Sequence, residues 1–383
     1  MISVNEQKEM TALNVPVGAG TEQSSNSNSI NSIAEKEENI KNKKKKYNTK
    51  KLMLLGEPGK AQFNSKTLTE IYDMTFEYIP PLIEGLLYPG VFIFSGTPKI
   101  GKSFLMAQIS YHISKGMPLW GHQVNQSEVL YLALEDDFGR IQKRMYRMFG
   151  ESENDKLHFV VSAGKLGETF NEQLSNFMEE YPNVRLVIID TLRKILDCDD
   201  ESYSYAKDYS LVDEIRSIIN RKDVCTLIVH HNRKMKSDDI FDMISGTQGL
   251  FGSSDGGFVI HKEDRRSKEA KIEVVGRDQA EECITVEKNM ETLCWKLVSE
   301  DSELWNEPTE PVLEEIAKYI NADNPNWEGT ATELVDILKM DIKPNALSMR
   351  LNINAGRLIK EYKILFQAKR THDGRRIILM YKP

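Results

Sequence analysis

The eight residues Gly96–Ser103, GTPKIGKS, fit the pattern Gly-x4-Gly-Lys-Ser/Thr of a phosphate-cradling loop without exception. That chemistry depends on the order of the residues. Gly96 and Gly101 let the backbone curl so that its N–H groups point inward at an anion. Lys102 reaches the β- and γ-phosphates, and the Ser103 hydroxyl is a ligand for Mg²⁺. The expected cofactors are therefore ATP and Mg²⁺. The expected contacts are Gly96, Thr97, Pro98, Lys99, Ile100, Gly101, Lys102, Ser103 and Phe104. A second Gly-Lys step, GEPGK at residues 56–60, fails the same test. Its glycines are three apart, Lys60 is followed by Ala-Gln, and no apolar-periodic helix begins after it. It reads as a turn ahead of the domain.

A phosphate loop also needs an acidic residue on a neighbouring strand to anchor Mg²⁺, and VRLVIIDT supplies Asp190. A third stretch, VLYLALEDD, ends in Glu135, Asp136 and Asp137. Hydrolysis requires a base or water-orienting carboxylate near the γ-phosphate, and α/β sheets place such groups at the carboxyl ends of strands. Glu135 lies nearest the strand end, although three acids in a row are also what a solvated loop carries. CTLIVHHNRK closes another strand with His230 and His231. A histidine here can sense the γ-phosphate; a structural role is the alternative. Metal binding is disfavoured, because adjacent strand residues point to opposite faces and no third ligand is apparent.

These residues need a sheet to hold them. Apolar runs at 91–95, 129–134, 157–161, 186–190, 224–230, 257–261, 272–275 and 283–286 read as strands. Leu105, Ile109 and Ile113, and likewise Leu211, Ile215, Ile218 and Ile219, recur at helical spacing between them. The alternation predicts an α/β domain around a mostly parallel sheet. VFIFS makes a buried strand directly before the loop, and SFLMAQISYHISKG makes a helix that closes at Gly116.

Bulk properties set the limits of the reading. Apolar residues at 40% and charged residues at 28% describe a globular chain, and no apolar run approaches the roughly 18 residues of a membrane span. The polar start, MISVNEQKEM, lacks a signal peptide's apolar stretch, so a cytoplasmic location is expected. Cys198, Cys225, Cys283 and Cys294 show no metal-ligand spacing and read as reduced thiols. Residues 1–50, poor in aromatics, read as a disordered lysine-rich tail. Residues 51–305 are the ATPase domain, and 310–383 form a second, smaller unit after a polar bridge. The net charge of −8 is unevenly spread: residues 41–51 carry seven lysines and no acid, and residues 339–383 carry eleven basic residues against three acids. An acidic body with two basic ends suggests tethering to something anionic.

The C-terminal unit reads as three helices and a hairpin. PVLEEIAKYI and TATELVDILKM form the first two, and NALSMRLNINAGRLIKEY forms a third with its extension. ILFQAKRTHDGRRIILMYKP alternates around Asp373-Gly374, a hairpin turn flanked by Arg370, Arg375 and Arg376. This arrangement resembles the winged helix-turn-helix units attached to replication proteins of mobile elements. The resemblance implies that the third helix, with Arg350, enters a DNA groove while the wing touches phosphate; docking a protein is the other use of such units.

GTPKIGKS, YLALEDD, VIIDTLRKIL, IVHHNRK, GTQGLFGSSDGGFVI and VVGRD occur in the order and spacing of the RepA-like hexameric helicases. These are RecA-fold ATPases of plasmids, phages and other mobile elements, related to DnaB-type replicative helicases. The resemblance spans roughly residues 75–300. It implies a homohexamer, with Lys102 and Ser103 on phosphate and Mg²⁺, Asp190 on the metal and Glu135 as the catalytic glutamate. It assigns γ-phosphate sensing to His231 rather than His230, and makes Arg277 an arginine finger reaching a neighbouring subunit's site. Pore loops would follow the Asp190 and His231 strands. The second, with Arg233, Lys234 and Lys236, suits the backbone of single-stranded DNA. The first carries Arg193 and Lys194 beside four acids, a poor composition for gripping DNA. Two other functions fit the same motifs: a RecA-type ATP switch that does not unwind (a recombination mediator or helicase loader), and an ATP-controlled DNA-binding regulator. A small-molecule kinase gives no reason for Arg277, the histidine pair or the basic C-terminal unit.

Overall fold

The computed structural model describes residues 63–196, 205–231, 240–241, 248–264, 267–277, 279–302, 309–371 and 374–382. The lysine run, the GEPGK turn and Arg233, Lys234 and Lys236 lie outside the described residues. The chain divides into two compact units, 1–74 and 75–383. In the first, helix α1 (Leu68–Tyr72) is started by a capping box in which the Thr67 hydroxyl accepts from the Glu70 N–H and the Glu70 carboxylate accepts from the Thr67 N–H.

The second unit is built on a nine-stranded sheet. Its strands are β1 (Gly90–Gly96), β2 (Glu128–Ala133), β3 (Leu157–Val160), β4 (Val184–Asp190), β5 (Cys225–His231), β6 (Gly256–His261), β7 (Glu269–Gly276), β8 (Gln279–Lys288) and β9 (Trp295–Ser302). Their order across the sheet is β3-β2-β4-β5-β1-β6-β7-β8-β9. Pairings from β3 to β6 are parallel, and those from β6 to β9 are antiparallel. The sheet is thus mostly parallel, with an antiparallel extension on one edge. The parallel strands read as unbroken apolar runs because both of their faces are covered.

Even and odd positions of these strands feed two separate apolar layers. Helices α2 (Lys102–Lys115) and α3 (Phe138–Phe149) lie on one layer through Leu105, Ile109, Ile113, Ile141 and Met148. Helices α4 (Thr169–Glu180) and α5 (Tyr205–Ile219) cover the other through Phe170, Leu174, Leu211 and Ile215. Each such side chain contributes about 1.5–3 kcal/mol on leaving water. Helix α2 ends where Gly116 takes a φ of 67°, its N–H returning to the carbonyls of His112 and Ile113. A short helix α6 (Gln248–Ser253) leads into β6.

Residues 311–381 enclose a core of their own, including Leu313, Ile316, Leu334, Leu351 and Leu379. The order is helix α7 (Pro311–Tyr319), strand β10 (Asn326–Gly329), helices α8 (Ala331–Leu338), α9 (Pro344–Ile353) and α10 (Ala355–Tyr362), then the hairpin β11 (Ile364–Thr371) and β12 (Gly374–Tyr381). Strand β12 lies centrally, antiparallel to both β10 and β11. Two features differ from the sequence reading. Strand β10 appears, with Trp327 opposite Leu379. The single long third helix is two helices, broken at Asn354, whose ψ of 17° leaves the helical range.

Candidate nucleotide site

The carboxyl ends of β1, β2, β4 and β5 converge where the sequence placed its chemistry. Gly96 ends β1 in register with His231 of β5, and Ala133 of β2 pairs with Asp190 of β4. Only β5 lies between the loop-bearing strand and the Asp190 strand.

The phosphate loop leaves β1 under close constraint. A Cβ on Gly96 would sit 2.7 Å from the Ile260 carbonyl oxygen of neighbouring β6, so a side chain is excluded there. Gly101 has a φ of 115°, a conformation strained for any other residue, and caps the start of helix α2. Thr97, Pro98 and Lys99 are exposed, while Lys102 is buried. The Lys102 Nζ donates to the carbonyls of Gly96 (2.8 Å) and Thr97 (3.2 Å), curling its side chain back over the loop. Burial pulls its ammonium below the ordinary lysine range, against the opposing pull of Asp190 and Glu135.

Asp190 is buried beneath this loop. The Tyr131 hydroxyl donates to its Oδ2 at 2.8 Å, and Ser103 hydrogen-bonds to the same carboxylate. Burial raises the Asp190 pKa, the Ser103 and Tyr131 hydrogen bonds and Lys102 oppose the rise, and Glu135 reinforces it. A hydroxyl and a buried carboxylate in contact beside a lysine and exposed loop residues are a donor set that fits Mg²⁺ shared with phosphate oxygens. When bound, the metal neutralises phosphate charge; Ser103 and Asp190 would hold it, and Tyr131 orients Asp190.

The acidic triplet after β2 separates into three roles. Glu135 stays exposed at the mouth and accepts from the Thr191 hydroxyl at 3.0 Å, one residue beyond Asp190. Asp136 pairs with Arg140 (3.0 Å) and Arg144 (2.6 Å). Asp137 caps helix α3 by accepting from the Arg140 N–H. Of the three, Glu135 is the carboxylate placed beside Thr191 and the Ser103–Asp190 contact.

The sequence reading passed over several residues at this site. Tyr131 lies within an apolar strand run; a buried tyrosine needs a partner for its hydroxyl, and that requirement was the available signal. Trp295, the first residue of β9, packs its ring at Gly101, and both its backbone groups bond to the Gln108 side chain. Phe104 lies between two cations, Lys288 at 3.7 Å and Arg144 at 5.0 Å from its ring centroid. Lys288 thereby joins Lys102 beside the phosphate loop.

Other expected residues lie elsewhere. His230 stands opposite Ser95, half-buried; the side chain of His231 is outside the described residues. Arg193 and Lys194 are exposed in a single 3₁₀ turn after Asp190. Arg277 lies at the far end of the sheet. Its N–H donates to the Asp255 carbonyl, and its guanidinium reaches the Asp255 carboxylate at 3.6 Å while 61% exposed. Asp255 in turn bonds Val91, at the start of β1. In the C-terminal unit Arg350 pairs with Glu310 (3.0 Å), Arg376 with Glu328 (3.2 Å), and Arg375 donates to Asn352. Arg370 faces Arg375 across the hairpin, its side chain outside the described residues.

Strand, glycine loop, helix-borne lysine and hydroxyl, and strand-end carboxylates together define a P-loop nucleotide-binding domain. Residues 60–237 match the protein family described as "AAA domain". Two solved structures are similar over more than half of the chain. One is described as an ATPase domain: 12% identity, 58% of this chain and 93% of that one covered, TM-score 0.47. The other is a DnaB-like replicative helicase, described with its interactions with primase: 13% identity, 69% and 74% covered, TM-score 0.48. No curated protein matches the chain. Among the described residues, no helix is long and apolar enough to cross a membrane.

Proposed function

We propose that this protein is an ATP-driven DNA motor, a homohexameric helicase acting in the replication of a plasmid, phage or integrative element. The observation that carries the ATPase part is the convergence of Lys102, Ser103, Asp190 and Glu135 at adjoining strand ends. In this reading Lys102 and Ser103 hold the phosphates and Mg²⁺, Asp190 holds the metal, Glu135 orients the attacking water and His231 reads the γ-phosphate. Arg277 acts on the site of a neighbouring subunit, which its position at the opposite end of the sheet supports. The order helix, strand, three helices and hairpin, and the β10-β12-β11 sheet, support a winged helix for the C-terminal unit. Arg350, Arg375 and Arg376 are its DNA-facing candidates with Arg370, while Arg233, Lys234 and Lys236 serve a pore.

One observation favours the switch reading instead. Asn352, Gly356 and Lys360 fall four apart, one stripe along α9 and α10, and that stripe is turned toward residues 75–84. The Thr75 hydroxyl donates to Asn352 (2.9 Å), a Cβ on Gly356 would lie 2.9 Å from Tyr78, and Lys360 pairs with Glu84 (3.1 Å). A helix docked in this way presents less of itself to DNA.

Steady-state ATP hydrolysis with and without single-stranded DNA, with Lys102→Ala as control, tests the motor. Stimulation by DNA that vanishes in the variant is expected, followed by strand displacement on a forked duplex. Robust hydrolysis indifferent to DNA would refute the motor and leave the switch.

A further inference from the structure

A cavity of about 410 Å³ opens at the end of the sheet opposite the phosphate loop, where β1 begins. Among the described residues its charged lining is four cations, Arg216, Arg221, Lys222 and Arg277, against one acid, Asp255. Three of the cations are partly satisfied, Arg277 by its 3.6 Å contact with Asp255. Arg216 bonds Asp255 at 2.9 Å, and Arg221 holds Asp223 through its Nε and one terminal nitrogen. The other terminal nitrogen of Arg221, Nη1, is buried with no hydrogen-bond partner among the described residues.

Gln279 gives the cavity a second, independent feature. It is 9% exposed, lines the cavity, and neither its amide nitrogen nor its amide oxygen has a partner among the described residues. A buried amide that gives up water on both atoms without making new hydrogen bonds loses stability, a loss that a ligand of matching shape recovers. The amide is closely seated: a Cβ on Gly276, its partner across the β7–β8 turn, would lie 2.8 Å from the Gln279 side chain. Tyr88, Val91 and Ile219 supply apolar wall.

We propose that this cavity binds a nucleoside phosphate at a second site, separate from the phosphate loop. Arg221 Nη1 and Lys222 take the phosphate. Gln279 pairs its donor and acceptor with the edge of the base, and the apolar wall covers the base face. A volume within the roughly 300–1,000 Å³ of small-ligand pockets suits a mononucleotide. The inference stands on the cavity alone and does not depend on Arg277 acting on a neighbour.

The test is equilibrium dialysis of radiolabelled ADP against the full chain carrying Lys102→Ala, which weakens the phosphate-loop site. Residual binding of one ADP per chain is expected. Adding Gln279→Glu, close in shape but negative, is expected to weaken it about tenfold or more, the scale of a lost buried hydrogen bond. Arg221→Ala, which changes a partly exposed side chain, gives the same readout should Gln279→Glu fail to fold. No binding to the Lys102→Ala protein, or binding indifferent to Gln279→Glu or Arg221→Ala, would overturn the proposal.

Discussion

If Arg277 completes the site of a neighbouring subunit, two inactive chains restore one another when mixed. The geometry sets this expectation. Asp255 donates its N–H to Val91 and accepts from the Arg277 N–H, so Arg277 hangs at the level of Val91. Five residues of strand at about 3.3 Å each separate that level from Gly96, roughly 16 Å from its own phosphate loop. No arginine side chain covers that span, so any contribution to hydrolysis is made in trans. Release from Asp255 costs little, because the contact is 3.6 Å on a mostly exposed guanidinium and such pairs are worth about 0–1 kcal/mol. A finger contributes about 10³–10⁵ in rate, or roughly 4–7 kcal/mol, far more than that cost. Arg277→Ala therefore loses nearly all hydrolysis, and so does Lys102→Ala, for a different reason. Co-expressed in equal amounts, they place an intact Lys102 site beside an intact Arg277 at about a quarter of the interfaces of a head-to-tail ring. The assay is steady-state hydrolysis of the mixed rings, and about a quarter of wild-type turnover is the expected ceiling. Activity no greater than the two parents alone, or near-normal turnover by Arg277→Ala, would refute the reasoning.

Three further outcomes follow from named contacts. Burial, and secondarily Glu300, raises the Glu282 pKa from 4.5 to about 7, against His122, and its Oε2 is buried without a hydrogen-bond partner among the described residues. Its stabilising contribution is therefore complete below about pH 4.5 and is lost as pH rises through about 7. Glu282→Gln should gain about 1–2 kcal/mol at pH 8 and nothing at pH 4.5, after discounting for its partial exposure, as read from urea midpoints. Gln108→Leu strands the Trp295 N–H, now bonded at 2.7 Å, while the Trp295 carbonyl keeps the Trp120 indole at 2.9 Å. One buried orphan predicts a loss of about 1–3 kcal/mol by thermal melting, together with weaker ATP binding because Trp295 packs on Gly101; an unchanged Tm would disprove the first part. Tyr131→Phe deprives Asp190 of a donor at 2.8 Å, so the Mg²⁺ concentration for half-maximal hydrolysis rises while thermal stability changes little; an unchanged Mg²⁺ titration would show that Asp190 needs no such support.

What the sequence made legible, and what it hid, divides along physical lines. Asp190 and Glu135 were legible because each follows the end of an apolar run, and strand ends in a parallel sheet gather on one edge whatever the loops do; Lys102 and Ser103 were legible from the Gly-x4-Gly-Lys-Ser spacing alone. Periodicity located helices α2 and α5 for the same reason: a buried face leaves a local signature. Strand β9 left none. WKLVSEDS is polar along most of its length, as an edge strand needing only one covered face can be, yet it brings Trp295 to Gly101 and so bears on the phosphate loop. The division of Glu135, Asp136 and Asp137 was hidden as well, because it depends on where Arg140 and Arg144 come to lie once α3 packs. The stripe Asn352, Gly356 and Lys360 shows the limit most directly. None of the three is unusual for an exposed helix, and their partners Thr75, Tyr78 and Glu84 are more than 270 residues distant. Contacts of that range carry no local pattern, so nothing in the sequence announced that this stripe rests against residues 75–84.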